Sequence, residues 1–154
     1  MEVQKELNGT VLKAKASGVI DENMNLNALM GTNFTEMRLD CQKISRINSL
    51  GVKHWINYFT ALTNKGVKVE LSNCPPQVVD QLSQVDTFHS NCTIASIMAP
   101  YECTECKSEF VKEMKVIDLR KNLNIPELQC PKCSSKAVFS DIEDEYFAFL
   151  SYTK

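Results

Sequence analysis

The 154-residue sequence has no marked excess of charge and no long apolar segment. Its formal net charge is −2; residues 1–100 carry nine basic and nine acidic side chains, and residues 101–154 carry eight and ten. Because neither part is basic, strong non-specific binding to a phosphate backbone is not expected. No apolar run approaches the roughly 20 residues of a membrane-spanning helix, so no such helix is predicted.

The usual residue groups of catalytic sites are also missing. His54 follows Ser49 by five residues, so on one helix the two side chains face different sides and cannot pair as base and nucleophile. His89 lies in a predicted loop, and the run "NSLG" is too short for a glycine-rich phosphate cradle. The acidic run "DIEDEY" at 141–146 is more typical of a solvated face than of a cation site. We therefore expect a protein that is not an enzyme.

Seven cysteines are present, an odd number. The stretch "MEVQKELNGT" lacks the apolar core of a secretory signal, which favours a cytoplasmic location. Thiols stay reduced there, so the cysteines are interpreted as metal ligands or buried thiols rather than as a disulfide framework. Cys41, Cys74 and Cys92 lie in strand or helix-edge contexts and are predicted to be small buried hydrophobic side chains.

Residues 1–100 show the periodicities of an α/β domain with the element order β-β-α-β-α-β-α-β. Asn8-Gly9 lies between two alternating segments and predicts a tight hairpin turn. After a strand that ends near Cys41, the segment Gln42–Ser49 is predicted to be a loop. The next helix has one continuous apolar stripe, formed by Val52, Trp55, Ile56, Phe59 and Leu62. Single helices between strands require crossover connections, which predicts a mixed, mostly parallel sheet packed against helices.

Residues 101–154 are predicted to form a smaller zinc-ribbon subdomain. Cys103-x2-Cys106 and Cys130-x2-Cys133 enclose 23 residues, and two such turns supply the four sulfurs of a tetrahedral Zn²⁺ shell. Four thiolates leave no open coordination position, so we expect one structural zinc ion. So short a segment buries little apolar surface, and metal binding would supply much of its folding free energy. The end of the segment, "AVFSDIEDEYFAFL", fits either a strand or a short amphipathic helix.

Three stretches of the first 100 residues carry a resemblance to a known family. These are "SGVID" at 17–21, "LDCQKISRINSLGV" at 39–52 and "GVKVELSNCPPQVVDQLSQV" at 66–85. Together with the element order, they resemble the STAS domain, the module of anti-sigma factor antagonists and of sulfate-transporter tails. The resemblance implies a regulatory protein-binding domain in a bacterial cytoplasm and leaves the cysteine-bearing segment 101–154 uncovered.

The resemblance also assigns a role to Ser49. In the antagonists, a kinase that is itself an anti-sigma factor phosphorylates a serine within Asp-Ser-Ser/Thr-Gly, at the start of the helix that follows this loop. The corresponding run here is Asn48-Ser49-Leu50-Gly51, which makes Ser49 the phosphorylation candidate and the run a partner-binding loop. Asn48 and Leu50 depart from the family pattern. The residues themselves favour a simpler role for Ser49, that of the N-cap of the helix.

Two functions remain from different classes. The first is a non-enzymatic regulatory module that binds a protein partner, such as an anti-sigma factor with serine kinase activity; a homodimer is compatible with it. The alternative is a nucleic-acid-binding zinc ribbon, in which four aromatic residues would either stack on bases or form the ribbon core: Tyr101, Phe110, Tyr146 and Phe147. The acidic balance of residues 101–154 argues against nucleic acid as the partner.

Overall fold

The computed structural model describes residues 1–153 and contains two β-sheets. The first sheet has the strand order β1-β2-β3-β4-β5. Its strands and helices, in chain order, are β1 (Glu2–Asn8), β2 (Val11–Ile20), α1 (Leu26–Met30), β3 (Glu36–Ile47), α2 (Ser49–Asn64), β4 (Lys68–Ser72), α3 (Pro76–Gln84) and β5 (Thr93–Ile94). Strand β1 is antiparallel to β2, and every other neighbouring pair is parallel. The predicted α/β class, element order and mostly parallel sheet are confirmed.

The second sheet is antiparallel and has the strand order β7-β6-β9-β8. Its elements are β6 (Ser96–Cys103), β7 (Glu109–Lys115), α4 (Val116–Lys121), β8 (Leu128–Gln129), β9 (Lys136–Phe139), α5 (Glu143–Tyr146) and a 3-10 helix (Ala148–Ser151). The terminal stretch that fitted either a strand or a helix contains both. None of the helices among residues 1–153 is long and apolar enough to cross a lipid bilayer.

The alternation of side chains along β2 places one of its faces in the core. Leu12, Ala14 and Ala16 are buried, whereas Lys13 and Lys15 are exposed, as period-2 alternation predicts. The hairpin between β1 and β2 is also confirmed, but its two turn residues are Gly9 and Thr10, because Asn8 still pairs with Val11. Gly9 has a φ of +64°, a left-handed conformation that glycine adopts without a steric penalty.

The apolar stripe of α2 packs against the first sheet. Trp55, Phe59 and Leu62 are almost completely buried, and Val52 and Ile56 are partly buried. The helix ends as its sequence predicts, with Gly66 at a φ of +84°. The N–H of Val67 donates to Leu62 O at 3.1 Å and the N–H of Gly66 to Thr63 O at 3.0 Å, the two bonds of a Schellman motif.

The predicted loop Gln42–Ser49 is wrong, because β3 continues to Ile47. The second half of β3 pairs in parallel with β2, from Ser17↔Lys43 to Ile20↔Ile47. This pairing satisfies backbone groups that a loop would leave to water. Only Ile44 in this half is fully buried, so the polar exposed positions around it resembled a loop in the sequence.

The two sheets are connected without a linker and share one hydrophobic core. Only Ala95 separates β5 from β6, and Ile97 of β6 forms a parallel bridge with Cys74, which precedes α3. The predicted boundary between residues 100 and 101 falls inside β6. Buried side chains of both regions, from Leu12 to Phe149, belong to a single core cluster.

The last described segment of the chain folds back onto α3. The Ser83 hydroxyl of α3 donates to Tyr146 O at 2.8 Å and accepts from the N–H of Phe149 at 3.2 Å. The Tyr146 hydroxyl donates to Met98 O at 2.6 Å. Arg120 of α4 donates to Leu150 O at 2.8 Å. This segment therefore contacts elements of both regions.

Candidate functional sites: a four-thiol cluster and the N-terminus of helix α2

The structure brings together the four cysteines that were predicted as metal ligands. Their sulfur atoms all lie within 4.8 Å of one another. The Sγ atoms of Cys103 and Cys133 are 3.4 Å apart, and those of Cys106 and Cys130 are 3.7 Å apart. A tetrahedral ion with metal–sulfur bonds near 2.3 Å requires sulfur–sulfur separations of about 3.8 Å. The cluster therefore has the dimensions to hold one metal ion.

The first pair of cysteines lies on a tight turn after β6. The backbone N–H groups of Glu105 and Cys106 both point at Cys103 Sγ, each at 3.4 Å. Lys107 has a φ of +61°, which reverses the chain so that the N–H of Cys103 donates to Ser108 O at 2.9 Å. Backbone donors aimed at the sulfur stabilise its thiolate form, which is the form that binds metal.

The second pair repeats this geometry between β8 and β9. The N–H of Lys132 points at Cys130 Sγ at 3.4 Å. Ser134 has a φ of +64°, and the N–H of Cys130 donates to Ser135 O at 2.7 Å. Because the two turns match, Cys103 and Cys130 lie on the buried side of the cluster, and the second cysteine of each pair is exposed.

The serine after each turn changes the acidity of the exposed thiols. Hydrogen bonds with the side chain and backbone of Ser135 lower the pKa of Cys133 to about 6. Hydrogen bonds with Ser108 likewise lower the pKa of Cys106. Burial raises the pKa of Cys103 to about 11. The lowered pKa values favour the thiolate forms of Cys106 and Cys133. At Cys103, a bound cation would have to displace the proton of the thiol.

No other group of three or more potential metal ligands converges among residues 1–153. The acidic residues Glu143, Asp144 and Glu145 lie exposed in the first turn of α5. His54 is exposed on α2, and His89 is half-buried, with its pKa lowered by burial.

The four aromatic residues that were candidates for base stacking are buried or half-buried. Tyr101 and Tyr146 are 0% and 1% exposed, and Phe147 is 4% exposed. Phe110 is half-buried and stacks on Tyr101, with ring centroids 5.7 Å apart. These rings form core, so they lend no support to a nucleic-acid-binding surface.

The remaining cysteines are buried, as predicted. Cys41 and Cys74 are 0% exposed and Cys92 is 5% exposed. A hydrogen bond with Cys74 and burial raise the pKa of Cys41 well above its usual range, and burial raises the pKa of Cys92 to about 12. All three sulfurs contribute to the core of the first region.

Ser49 does not cap helix α2, which corrects the capping prediction. The N-cap is Asn48, whose Oδ1 accepts from the N–H of Gly51 at 2.8 Å. Ser49 is the first helical residue and is exposed. Its hydroxyl makes no hydrogen bond with any residue that the structure describes. The predicted loop 48–51 is thus a capped first turn, because Asn48 alone has the extended backbone of a cap, with a φ of −100° and a ψ of 174°.

This first turn of α2 lies directly against the end of β2. The N–H of Asn48 donates to Ile20 O at 3.1 Å. A Cβ at Gly51 would come within 2.2 Å of the same Ile20 O, so no larger residue fits there without a shift. Glycine at this position therefore allows α2 to begin in close contact with the end of β2.

A polar groove of about 630 Å³ lies beside this helix start. It runs between the segment that contains α1 and the exposed side of α2, and its lining includes Glu22, Asn25, His54, Asn57 and Lys65. Glu22 connects the groove with the helix start, because Glu22 Oε2 accepts from Asn48 Nδ2 at 2.7 Å. This hydrogen bond lowers the pKa of the Glu22 carboxyl. The sequence did not identify Glu22, since 26 residues separate it from Asn48.

Comparison with known protein families agrees with the geometry of the first region. The family model described as "STAS domain" matches residues 3–98, well over half of the chain. No curated protein shows significant similarity to the chain. The matched residues include the helix start at Ser49 and, apart from Glu2, all five strands of the first sheet, and they end before the first cysteine of the cluster.

Proposed function

Because this chain belongs to the STAS domain family, we propose that it is a non-enzymatic regulatory module that resembles an anti-sigma factor antagonist. Its partner would be a protein that binds the first turn of α2. The observation that carries the proposal is the exposed Ser49 hydroxyl, which bonds to none of residues 1–153, since Asn48 performs the capping. A serine that is unnecessary for the fold is available for modification.

Phosphorylation of Ser49 would act as the switch of this module. The γ-phosphoryl group of ATP passes to Ser49 Oγ, ADP leaves, and the hydroxyl proton is released. The first turn of a helix favours such an anion through its free N–H groups and the helix dipole. A charge of about −1.5 to −2 would change the partner surface without refolding the domain. Leu50, 52% exposed, adds an apolar contact to that surface.

The partner proposed for this surface is an anti-sigma factor with serine kinase activity, and a second copy of the chain is a further possible partner. A kinase must reach the hydroxyl without unfolding its surroundings. Ser49 and Leu50 meet this condition, because both are exposed in the first turn of a well-anchored helix. The location proposed for this interaction is the bacterial cytoplasm.

The four-thiol cluster is proposed to hold one structural Zn²⁺ ion through Cys103, Cys106, Cys130 and Cys133. Four thiolates in a closed tetrahedral arrangement are typical of structural zinc sites. When bound, the ion would crosslink the two turns and stabilise the second sheet. It would leave no coordination position for a substrate.

Native mass spectrometry of the protein isolated from its own cells tests both parts of the proposal. We expect the mass of one zinc ion and a fraction with one phosphate, absent from the Ser49→Ala variant. Phosphate that persists in this variant would contradict the assignment to Ser49. A protein that never carries phosphate under any growth condition would contradict the switch, and one without zinc would contradict the metal site.

A further inference from the structure

Helix α2 begins with an amide next to a carboxylate from a distant part of the chain. We propose that Glu22 is the positioning residue of the Ser49 site: its carboxylate orients the Asn48 cap and supplies the negative charge beside the Ser49 hydroxyl. The part of this inference that concerns Ser49 rests on the function proposed above. The pairing of Glu22 with Asn48 is independent of that function.

The geometry leaves one orientation for the Asn48 side chain. The backbone N–H of Gly51 can only donate, so the Asn48 atom that faces it at 2.8 Å must be the oxygen. The amide NH₂ group then points the other way and donates to Glu22 Oε2 at 2.7 Å. An ionised carboxylate is an acceptor only, which matches this donor. Glu22 and Gly51 together therefore fix the cap on both sides.

The pair explains why position 48 holds an amide. An aspartate there would also accept from Gly51, but it would place a second carboxylate at hydrogen-bond distance from Glu22. Like charges at this separation repel, and no donor would remain between them. The pair therefore carries one negative charge beside the first turn of α2, and in this chain residue 22 provides it instead of residue 48.

The position of this charge matters for the modification of Ser49. Ser49 directly follows Asn48 in the sequence, and the carboxylate that Asn48 contacts lines the polar groove beside the first turn of α2. A partner that binds the first turn of α2 would contact this charge together with the hydroxyl. Glu22 is thus a specificity residue of the proposed interface as well as a support of the cap.

A charge-exchange cycle tests the pairing without any partner. The variants are Glu22→Gln, Asn48→Asp and the double variant, compared with the wild type by thermal unfolding. We expect Asn48→Asp to melt roughly 1–3 °C below the wild type. The double variant should recover this loss, because the amide introduced at position 22 would donate to the carboxylate introduced at position 48. The hydrogen bond would then be restored with the charge moved to the other partner.

Asn25→Asp is a matched control for this cycle. Asn25 is the N-cap of α1, and its Oδ1 accepts from the N–H of Ala28 at 3.0 Å. Since its amide makes no hydrogen bond with a carboxylate in the described structure, the same substitution should leave the melting temperature unchanged or raise it. Equal effects of Asn25→Asp and Asn48→Asp, or no recovery in the double variant, would overturn the pairing.

The role at Ser49 has its own readout. The purified variants are incubated with radiolabelled ATP and a lysate of the source cells, with Ser49→Ala as the blank. We expect Glu22→Gln to lower the initial rate of labelling severalfold and the double variant to restore it, since the carboxylate introduced at position 48 returns a negative charge to the pair. Equal labelling of all three proteins would overturn the specificity role. No label on the wild type would contradict the proposed switch, while the melting cycle would still decide the pairing.

Discussion

The two sheets of this protein differ in what stabilises them. The first sheet and the helices packed on it contribute most of the apolar side chains of the shared core. In the second region, β6 and the helices reach the same core, whereas β8 and β9 are only two and four residues long and flank one of the two turns of the four-cysteine cluster. Stability that is distributed over a core tolerates single changes better than stability that depends on one cluster. Single substitutions should therefore have very different effects in the two regions.

The largest effect is expected from Cys130→Ser. Removal of one of four ligands should abolish tight metal binding, which contributes on the order of 10 kcal/mol in small zinc domains. Protection from hydrogen exchange should be lost around β8 and β9 and retained in β2 and β3. Cys92→Ser is the control, because it removes a buried thiol from the first region and should leave the metal content unchanged. Equal loss of protection in both sheets would show that the two regions fold as one unit.

A smaller effect, confined to the first region, is expected from Gly51→Ala. Alanine is normally the better helix residue, but its Cβ would meet Ile20 O at 2.2 Å. The start of α2 must then move away from β2, at a cost of roughly 2–4 kcal/mol. Urea unfolding measures this loss, with the exposed Asn57→Ala on the same helix as the control. A variant as stable as the wild type would contradict the close approach.

Ser83→Ala tests how strongly the two regions are joined. The buried hydroxyl of Ser83 donates to Tyr146 O and accepts from Phe149 N–H, so its loss leaves a buried donor unpaired at a cost of about 1–3 kcal/mol. Hydrogen exchange should increase at residues 146–149 before it increases elsewhere. Ser151→Ala removes an exposed hydroxyl from the same segment and should have little effect. Unchanged exchange at Phe149 in Ser83→Ala would argue against this junction.

The smallest expected difference in the free energy of unfolding is between variants of the neighbouring residues Asn48 and Ser49. Asn48→Ala removes the cap of α2 and should lower the free energy of unfolding by about 1 kcal/mol. Ser49→Ala should change it by less than about 0.5 kcal/mol, because the exposed hydroxyl bonds to no described residue. Chemical denaturation of the two variants in parallel measures the difference. The reverse order of effects would return the capping role to Ser49.

Local patterns in the sequence were sufficient for much of this structure. The stripe from Val52 to Leu62, Gly66 after the helix and the alternation in β2 each depend on spacing along one element, so they could be predicted without knowledge of the fold. The doubled Cys-x2-Cys pattern is local in the same sense. Each Cys-x2-Cys pair forms its own turn, and the fold then brings the two turns together so that their four sulfur atoms are close.

Errors arose where a residue's role depends on a distant part of the chain. Ser49 and Asn48 are both good capping residues by type, and the choice between them follows from the contact of Asn48 with Ile20 and Glu22. The second half of β3 has a polar composition and becomes a strand because β2 lies beside it. The residues around Phe149 are apolar, but nothing nearby in sequence shows that they pack on Ser83.

Spacing and periodicity thus determined the order of the elements in residues 1–100 and the identity of the four clustered cysteines, since these depend on short-range geometry, and the resemblance of three short stretches indicated the family. The capping of α2 by Asn48, the free hydroxyl of Ser49 and the docking of the chain end onto α3 arise only when distant segments come together. Their physical basis is the hydrogen bonding of backbone and side-chain groups that must find partners when they leave water. Such partners, Ile20, Glu22 and Ser83 among them, are specified by the fold.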